Sequence, residues 1–175
     1  MAKYEYSGKK PEISEKSWVH ETAQIIGDVK IGEDCFIGPG AALRGDFGSI
    51  RVGDRSSVQE SCVMHSRPGR ECSVGNDSTV GHGAILHGCV IGNRVVVGMN
   101  STVSDDTVIA DDCIVAEGSV VRSGGKFPPG VLIAGNPAEV KGPLKDTQKM
   151  LKDAGTNAYV ELTRNYLKTA REIVE

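Results

Sequence analysis

Aliphatic residues recur along this chain at intervals of six. Ile13, Val19, Ile25, Ile31, Ile37 and Leu43 form one run, and Ile91, Val97, Val103, Ile109, Val115 and Val121 a second. Glycine follows Ile31, Ile37, Val74, Val80, Ile91 and Val97, and alanine follows Ile109 and Val115. A period of six matches neither the turn of an α-helix nor a sustained two-residue alternation. It matches the hexapeptide class of parallel β-helix, in which each hexad is a short strand plus a corner. The small residue suits the corner, and the aliphatic side chains stack coil on coil inside a narrow prism. With three faces per coil, residues 13 to 121 predict about six coils. A β-sandwich also has closely spaced strands, but it does not hold one aliphatic position in phase over five consecutive steps.

The pattern divides the chain into a repeat domain at 11–125, a Gly/Pro-rich connector at 126–143 and a helical tail at 144–175. In the tail, Leu144 to Ala154 predicts a helix that Gly155 ends, with Thr156 capping the next segment. Tyr159, Leu162, Tyr166, Ala170 and Ile173 share one helical face, which is expected to bury itself against the coil or a neighbouring subunit.

Composition narrows the function classes. Aromatics make up only 5% of the 175 residues and the net charge is −3. No basic stripe or aromatic-studded basic loop is present, so nucleic acid is not an expected partner. No stretch is long and apolar enough for a membrane span, and MAKYEYSGKKPE lacks an apolar signal core, which predicts a cytoplasmic chain. Five cysteines, an odd number without a CxxC pair, read as reduced thiols packed as small apolar residues.

Candidate chemistry sits where the hexad count is disturbed. From Met64 the next aliphatic position would be residue 70, yet the ladder resumes at Val74, which puts four extra residues in the loop SRPGRE. Met64 and Leu86 are then on the same edge of successive coils. His65 and His87, each one residue later, stack about 4.7–4.9 Å apart, one strand spacing. His82 follows Val80 by two, lies on a different face and does not readily join them within one chain. A rotated copy can supply it, so a closed homotrimer would hold His65, His87 and His82 of the partner subunit at each interface. The ladder restarts at Ile91 rather than residue 92, one residue short. His20 has no partner in view and reads as structural. Three imidazoles without a fourth protein ligand suit a catalytic Zn2+ whose open position holds water. Such an ion lowers the water pKa from about 15.7 to about 7. Co2+ or Fe2+ would also be accepted.

The stretches LRGDFGSIRVGDRSSVQESCVMH and VGHGAILHGCVIG resemble the γ-class carbonic anhydrases, and the similarity runs from residue 11 to about 140. The resemblance implies a left-handed parallel β-helix with His65, His82 and His87 as metal ligands. It also implies an Arg44–Asp46 pair at the subunit interface, Arg44 holding bicarbonate, and Gln59 orienting the metal-bound hydroxide. Three features depart from that family: Phe47 stands where an acidic proton carrier is usual, the loop after His65 is SRPGRE rather than a longer acidic one, and Ser57 replaces an Asn. LRGDFG, CVMH, GHGAILHGC, VGMN, GNPA and GTNAY are similar to phenylacetate-pathway thioesterases and carnitine-operon proteins, which imply a coenzyme A thioester as substrate. The expected function is zinc-dependent hydration of CO2 to bicarbonate. The alternatives are acyl-CoA hydrolysis at the same ion, with Phe47 lining an acyl pocket; acyl transfer, disfavoured because it needs a catalytic His without two metal partners; and a non-catalytic scaffold in which the metal staples the trimer.

Overall fold

A computed structural model describes residues 2–173. Hexads become short parallel strands on three faces of a left-handed β-helix, with one α-helix laid along the outside. On the first face Ile25, Leu43, Met64, Leu86, Val103 and Val121 are register partners from coil to coil. The second stacks Ile13, Ile31, Val52, Val74, Ile91, Ile109 and Phe127. The third stacks Val19, Ile37, Val58, Val80, Val97, Val115 and Ile133. All six first-face residues are wholly buried. Each such side chain contributes roughly 1.5–3 kcal/mol of apolar burial, which is how a chain poor in aromatics acquires a core.

The coil is longer than its hexad runs indicate. Lys126–Phe127 and Val131–Gly135 pair in parallel with Val108–Ile109 and Ile114–Val115, so much of the expected connector is a further turn of β-helix. The coil closes where Ala138–Pro143 returns antiparallel to Val131–Gly135. At the other end Ala2–Tyr4 adds a parallel strand against Gln24–Ile26.

Regular coils take 18 residues, as from Ile25 to Leu43 or Val103 to Val121. The three in between do not: Leu43 to Met64 takes 21, Met64 to Leu86 takes 22 and Leu86 to Val103 takes 17. All three irregularities fall at the corner between the first and second faces. Gly27 faces Gly45, but Val29, two residues on, already faces Ile50, so Gly45 to Ser49 bulges outward by three residues. The next coil adds the loop after His65 before Glu71 rejoins the second face opposite Ser49. The third coil turns in one residue fewer than a hexad allows. Gly88 (φ +55°) makes that tight turn, and its N–H donates to the His65 carbonyl at 2.9 Å.

All five cysteines are wholly buried and free. The thiols of Cys35, Cys62 and Cys113 each donate to a carbonyl of a neighbouring coil at 3.1 Å. Ser56, Ser78 and Ser101 bridge the coils in the same way. Burial pushes the Cys35 and Cys62 thiols up to about 11, which keeps them protonated and inert.

The helix α1 (Asp146–Thr169) is continuous, so Gly155 does not end it and Thr156 does not cap a second segment. Glycine there costs about 1 kcal/mol relative to alanine, and tertiary packing overrides that preference. α1 lies on the third face of its own coil. Its buried stripe is Lys152, Thr156, Val160 and Thr163, shifted from the expected face. Threonines let the helix come close, and their hydroxyls donate to the Lys152 and Tyr159 carbonyls at 3.2 and 2.9 Å. Tyr159 and Tyr166 reach the coil from the margin. Tyr166 stacks on Trp18 with centroids 4.2 Å apart, and Tyr159 meets Phe36 at 5.1 Å. Leu162 remains exposed, Ala170 and Ile173 lie past the helix end, and Val174 and Glu175 lie outside the described residues. Among the described residues no helix is long and apolar enough to cross a membrane.

Candidate metal centre

The disturbed corner gathers the candidate side chains. His65 and His87 end neighbouring strands, Val63–His65 and Ile85–His87, and are direct register partners. Their ring centroids are 5.2 Å apart, and His65 Nδ1 lies 3.2 Å from His87 Nε2. Each ring is held from behind by a carboxylate: His65 Nε2 meets Asp46 Oδ1 at 2.9 Å, and His87 Nδ1 meets Asp105 Oδ1 at 2.9 Å. Carboxylates accept, so those outer nitrogens donate and the inner pair present lone pairs to each other. Arg44 Nη2, 3.4 Å from His65 Nδ1, is likewise placed to donate to that lone pair. Two facing lone pairs repel, and a cation between them removes the repulsion.

The spacing suits a metal ion. Two nitrogens bound to one zinc at about 2.0–2.1 Å with a tetrahedral angle are about 3.3–3.4 Å apart. Backing by a carboxylate is also how ligating histidines are usually fixed in tautomer and orientation. His65 and His87 therefore fit as two ligands of one ion.

Asp46 sits at the centre of this network. It comes from the three-residue bulge, accepts Arg44 Nη1 at 2.7 Å and its neighbour Phe47 N–H at 2.8 Å. Burial alone would raise its carboxyl. The hydrogen bonds from His65 and Phe47 and the charge of Arg44 outweigh that and hold it below the usual carboxylate range. Asp105 is held in turn by Arg67 Nε at 3.1 Å, and Arg67 Nη2 reaches Asp106 at 2.5 Å. Arg67 belongs to the extra loop, which is thereby tied to the His87 ring. Phe47 is 56% exposed and its ring lies 5.6 Å from that of His65.

His82 stands apart, on the turn after Thr79–Val80, with Nδ1 hydrogen-bonded to Glu60. Among the described residues no three His, Cys, Asp or Glu side chains of one chain form a metal cage. Gln59 is buried next to Glu60 and goes with His82, lining the space between the third face and α1 rather than the His65–His87 pair. Ser57 is buried on the third face, and its hydroxyl has no hydrogen-bond partner among the described residues. Sequence reasoning missed Asp105, Arg67 and the role of Glu60. Glu60 and His82 are separated by 22 residues, the same step as His65 and His87, so the same count could have paired them.

Stacked hexads with one flanking helix define a class of β-solenoid protein, and known proteins narrow it. The bacterial transferase hexapeptide family (six repeats) matches residues 10–45 and 88–123. The stretch between them holds the 21- and 22-residue coils. A crystal structure of a hexapeptide transferase family protein from Anaplasma phagocytophilum is 33% identical, with TM-score 0.91 over 94% of this chain and 98% of that one. A Bacillus cereus protein crystallised as a candidate acetyltransferase is also 33% identical, with TM-score 0.92 over 95% and 96%. The chain belongs to the hexapeptide-repeat transferase family. Carnitine operon protein CaiE of Escherichia coli O157:H7 is 44% identical over 92 residues, 53% of this chain and 47% of CaiE. The match thus spans about half the length of these carnitine operon relatives.

Proposed function

We propose that this protein is a trimeric metalloenzyme of the γ-carbonic-anhydrase type, hydrating CO2 to bicarbonate where His65 and His87 meet His82 of the partner subunit. The observation that carries the reading is the 3.2 Å approach of His65 Nδ1 and His87 Nε2, with Asp46 and Asp105 behind them. A divalent ion, Zn2+ or alternatively Co2+ or Fe2+, would supply Lewis acidity and make bound water acidic at neutral pH. Asp46, Asp105 and Glu60 hold the three rings in one tautomer. Arg44, tied to Asp46 and half exposed, has guanidinium donors left for an anionic product. Gln59 immediately precedes Glu60, the carboxylate that holds His82, but its buried side chain lines the space under α1, so no role at the metal is proposed for it. An exposed apolar pair, Val63 and Ile85, lies on the first face next to the His pair and supports self-association there. Protein loaded with zinc, cobalt or anaerobic iron should hydrate CO2 in stopped-flow assays. A rate no higher than buffer with all three would sink the proposal.

One observation favours a second reading. The exposed Phe47 ring beside His65 cannot carry a proton, but it can pack against an acyl group. Hydrolysis of a coenzyme A thioester at the same centre fits that feature, and the candidate acetyltransferase from Bacillus cereus lies close in fold. Release of free thiol from a panel of aromatic and short-chain CoA esters tests it, and a silent panel removes it. If both assays are silent while His82→Ala abolishes assembly, the metal is a staple and the protein a scaffold.

A further inference from the structure

Two of the five buried thiols face each other. Cys72 lies at the start of the strand Glu71–Val74, just after the loop that lengthens its coil, and Cys89 ends the short corner behind His87. Ser73 is the register partner of Val90, so Cys72 and Cys89, one residue earlier, are neighbours on adjacent parallel strands. Their Sγ atoms are 4.0 Å apart. The other three cysteines are held differently, each thiol donating to a carbonyl and none stacked on another cysteine.

That arrangement is one a disulfide can span. Neighbouring strands lie about 4.7–4.9 Å apart, inside the Cα separation of about 4.4–6.8 Å that a disulfide takes. Side-chain rotation has only to bring the sulfurs to about 2.05 Å. Both thiols point into the core, but the corner beside them offers a way in. Residues 67–71 are all exposed, and the buried hydroxyl of Ser66, which leads into them, has no hydrogen-bond partner among the described residues. Such a corner opens locally without global unfolding, which admits a small oxidant.

We propose that Cys72 and Cys89 are a redox-active dithiol that hydrogen peroxide converts to a disulfide, pinning the corner that carries His87. One thiol attacks the peroxide: an S–O bond forms, the O–O bond breaks, and the thiol proton leaves with the departing oxygen as water. The second sulfur attacks the resulting sulfenic acid: the S–S bond forms, the S–O bond breaks, and the hydroxyl leaves as water with the second thiol proton. The pair loses two electrons and two hydrogens, and one peroxide becomes two waters. No metal takes part, and neither sulfur faces the space between the imidazoles, so the inference goes beyond the reaction proposed above.

The test uses full-length protein treated with a chelator, which separates it from the fate of the metal reading. Folded protein is exposed to hydrogen peroxide, quenched, unfolded in N-ethylmaleimide and cut with trypsin without reduction. The tryptic fragment 71–94 holds Cys72, Cys89 and no other cysteine. Its mass should fall by two hydrogens and it should take up no maleimide, while Cys35, Cys62 and Cys113 are labelled. Dithiothreitol should restore both labels. Cys72→Ala and Cys89→Ala should each abolish the loss of two hydrogens. A fragment that keeps both labels after peroxide overturns the inference. So does bridging of Cys72 or Cys89 to a different cysteine, or oxidation to sulfinic acid with no bridge.

Discussion

His87 Nδ1 is hydrogen-bonded to Asp105 at 2.9 Å, and the same carboxylate oxygen accepts Arg67 Nε at 3.1 Å. The loop that lengthens one coil therefore steadies a ring belonging to the next. Asp105 does not touch the space between the two imidazoles and acts on it only through His87, as Asp46 acts through His65.

Removing such a backing carboxylate from a ligating histidine usually weakens metal affinity about 10–100-fold. Asp105→Ala should fall in that range in a zinc competition titration against a chelating dye. Asp105→Asn keeps an acceptor oxygen and should lose less. Arg67→Ala should cost less again, because it acts through Asp105. Unchanged affinity in Asp105→Ala would remove the metal assignment of His87.

Gly45, between Arg44 and Asp46, is required by steric crowding. A Cβ at Gly45 would lie 2.4 Å from the Asp28 carbonyl oxygen, and the facing Gly27 (φ +72°) is crowded by the Gly45 carbonyl in return. Gly45→Ala should lower stability by about 1–3 kcal/mol, as other overpacking changes do. It should also displace the Arg44–Asp46 pair. Gly155→Ala, on an open stretch of α1, should instead add about 0.4–1 kcal/mol. Urea midpoints of the two variants should therefore move in opposite directions.

Much of this architecture is legible in the sequence because a β-helix writes its period directly into the chain. The stacking of His65 on His87 follows from counting 22 residues, and His82 falls outside that pair as its place after Val80 predicts. Three things escape the count. Phe127 and Ile133 continue the ladder in phase, but the surrounding glycines and prolines mask the last coil. Asp105 is hidden because the short coil sets Val103 opposite Leu86, so the carboxylate reaches His87 from one position beyond its register partner. Gly155 misleads because local propensity is weaker than the contacts of Thr156, Val160 and the tyrosines on the third face.

Val63 and Ile85 are neighbours on adjacent strands, 37% and 42% exposed, and point away from the core. Ile85→Arg should leave the fold intact, since outward substitutions usually change stability within about 0.5 kcal/mol. If the first face joins copies, light scattering should show smaller particles. Zinc affinity should fall with assembly, because His82 of the partner subunit is lost. A variant that stays assembled and binds zinc normally would place the interface elsewhere.

The docking of α1 should weaken in acid through Asp34. Its carboxylate accepts Arg164 Nε at 3.0 Å and Nη2 at 2.8 Å, joining the far end of the helix to the coil. The Arg164 hydrogen bonds outweigh burial and hold the Asp34 carboxyl below the usual carboxylate range. A carboxyl whose pKa is lower folded than unfolded contributes stability above its unfolded value, about 3.9, and loses it as pH falls through the folded one. Asp34→Asn should therefore have a lower urea midpoint than wild type at pH about 7, with the gap closing as pH falls below the unfolded value and the wild-type carboxylate takes up its proton. Because Arg164 is half exposed, added salt should shrink the neutral-pH gap as well. A gap that persists unchanged into acid would mean that Asp34 holds the helix by shape and neutral hydrogen bonding rather than by charge.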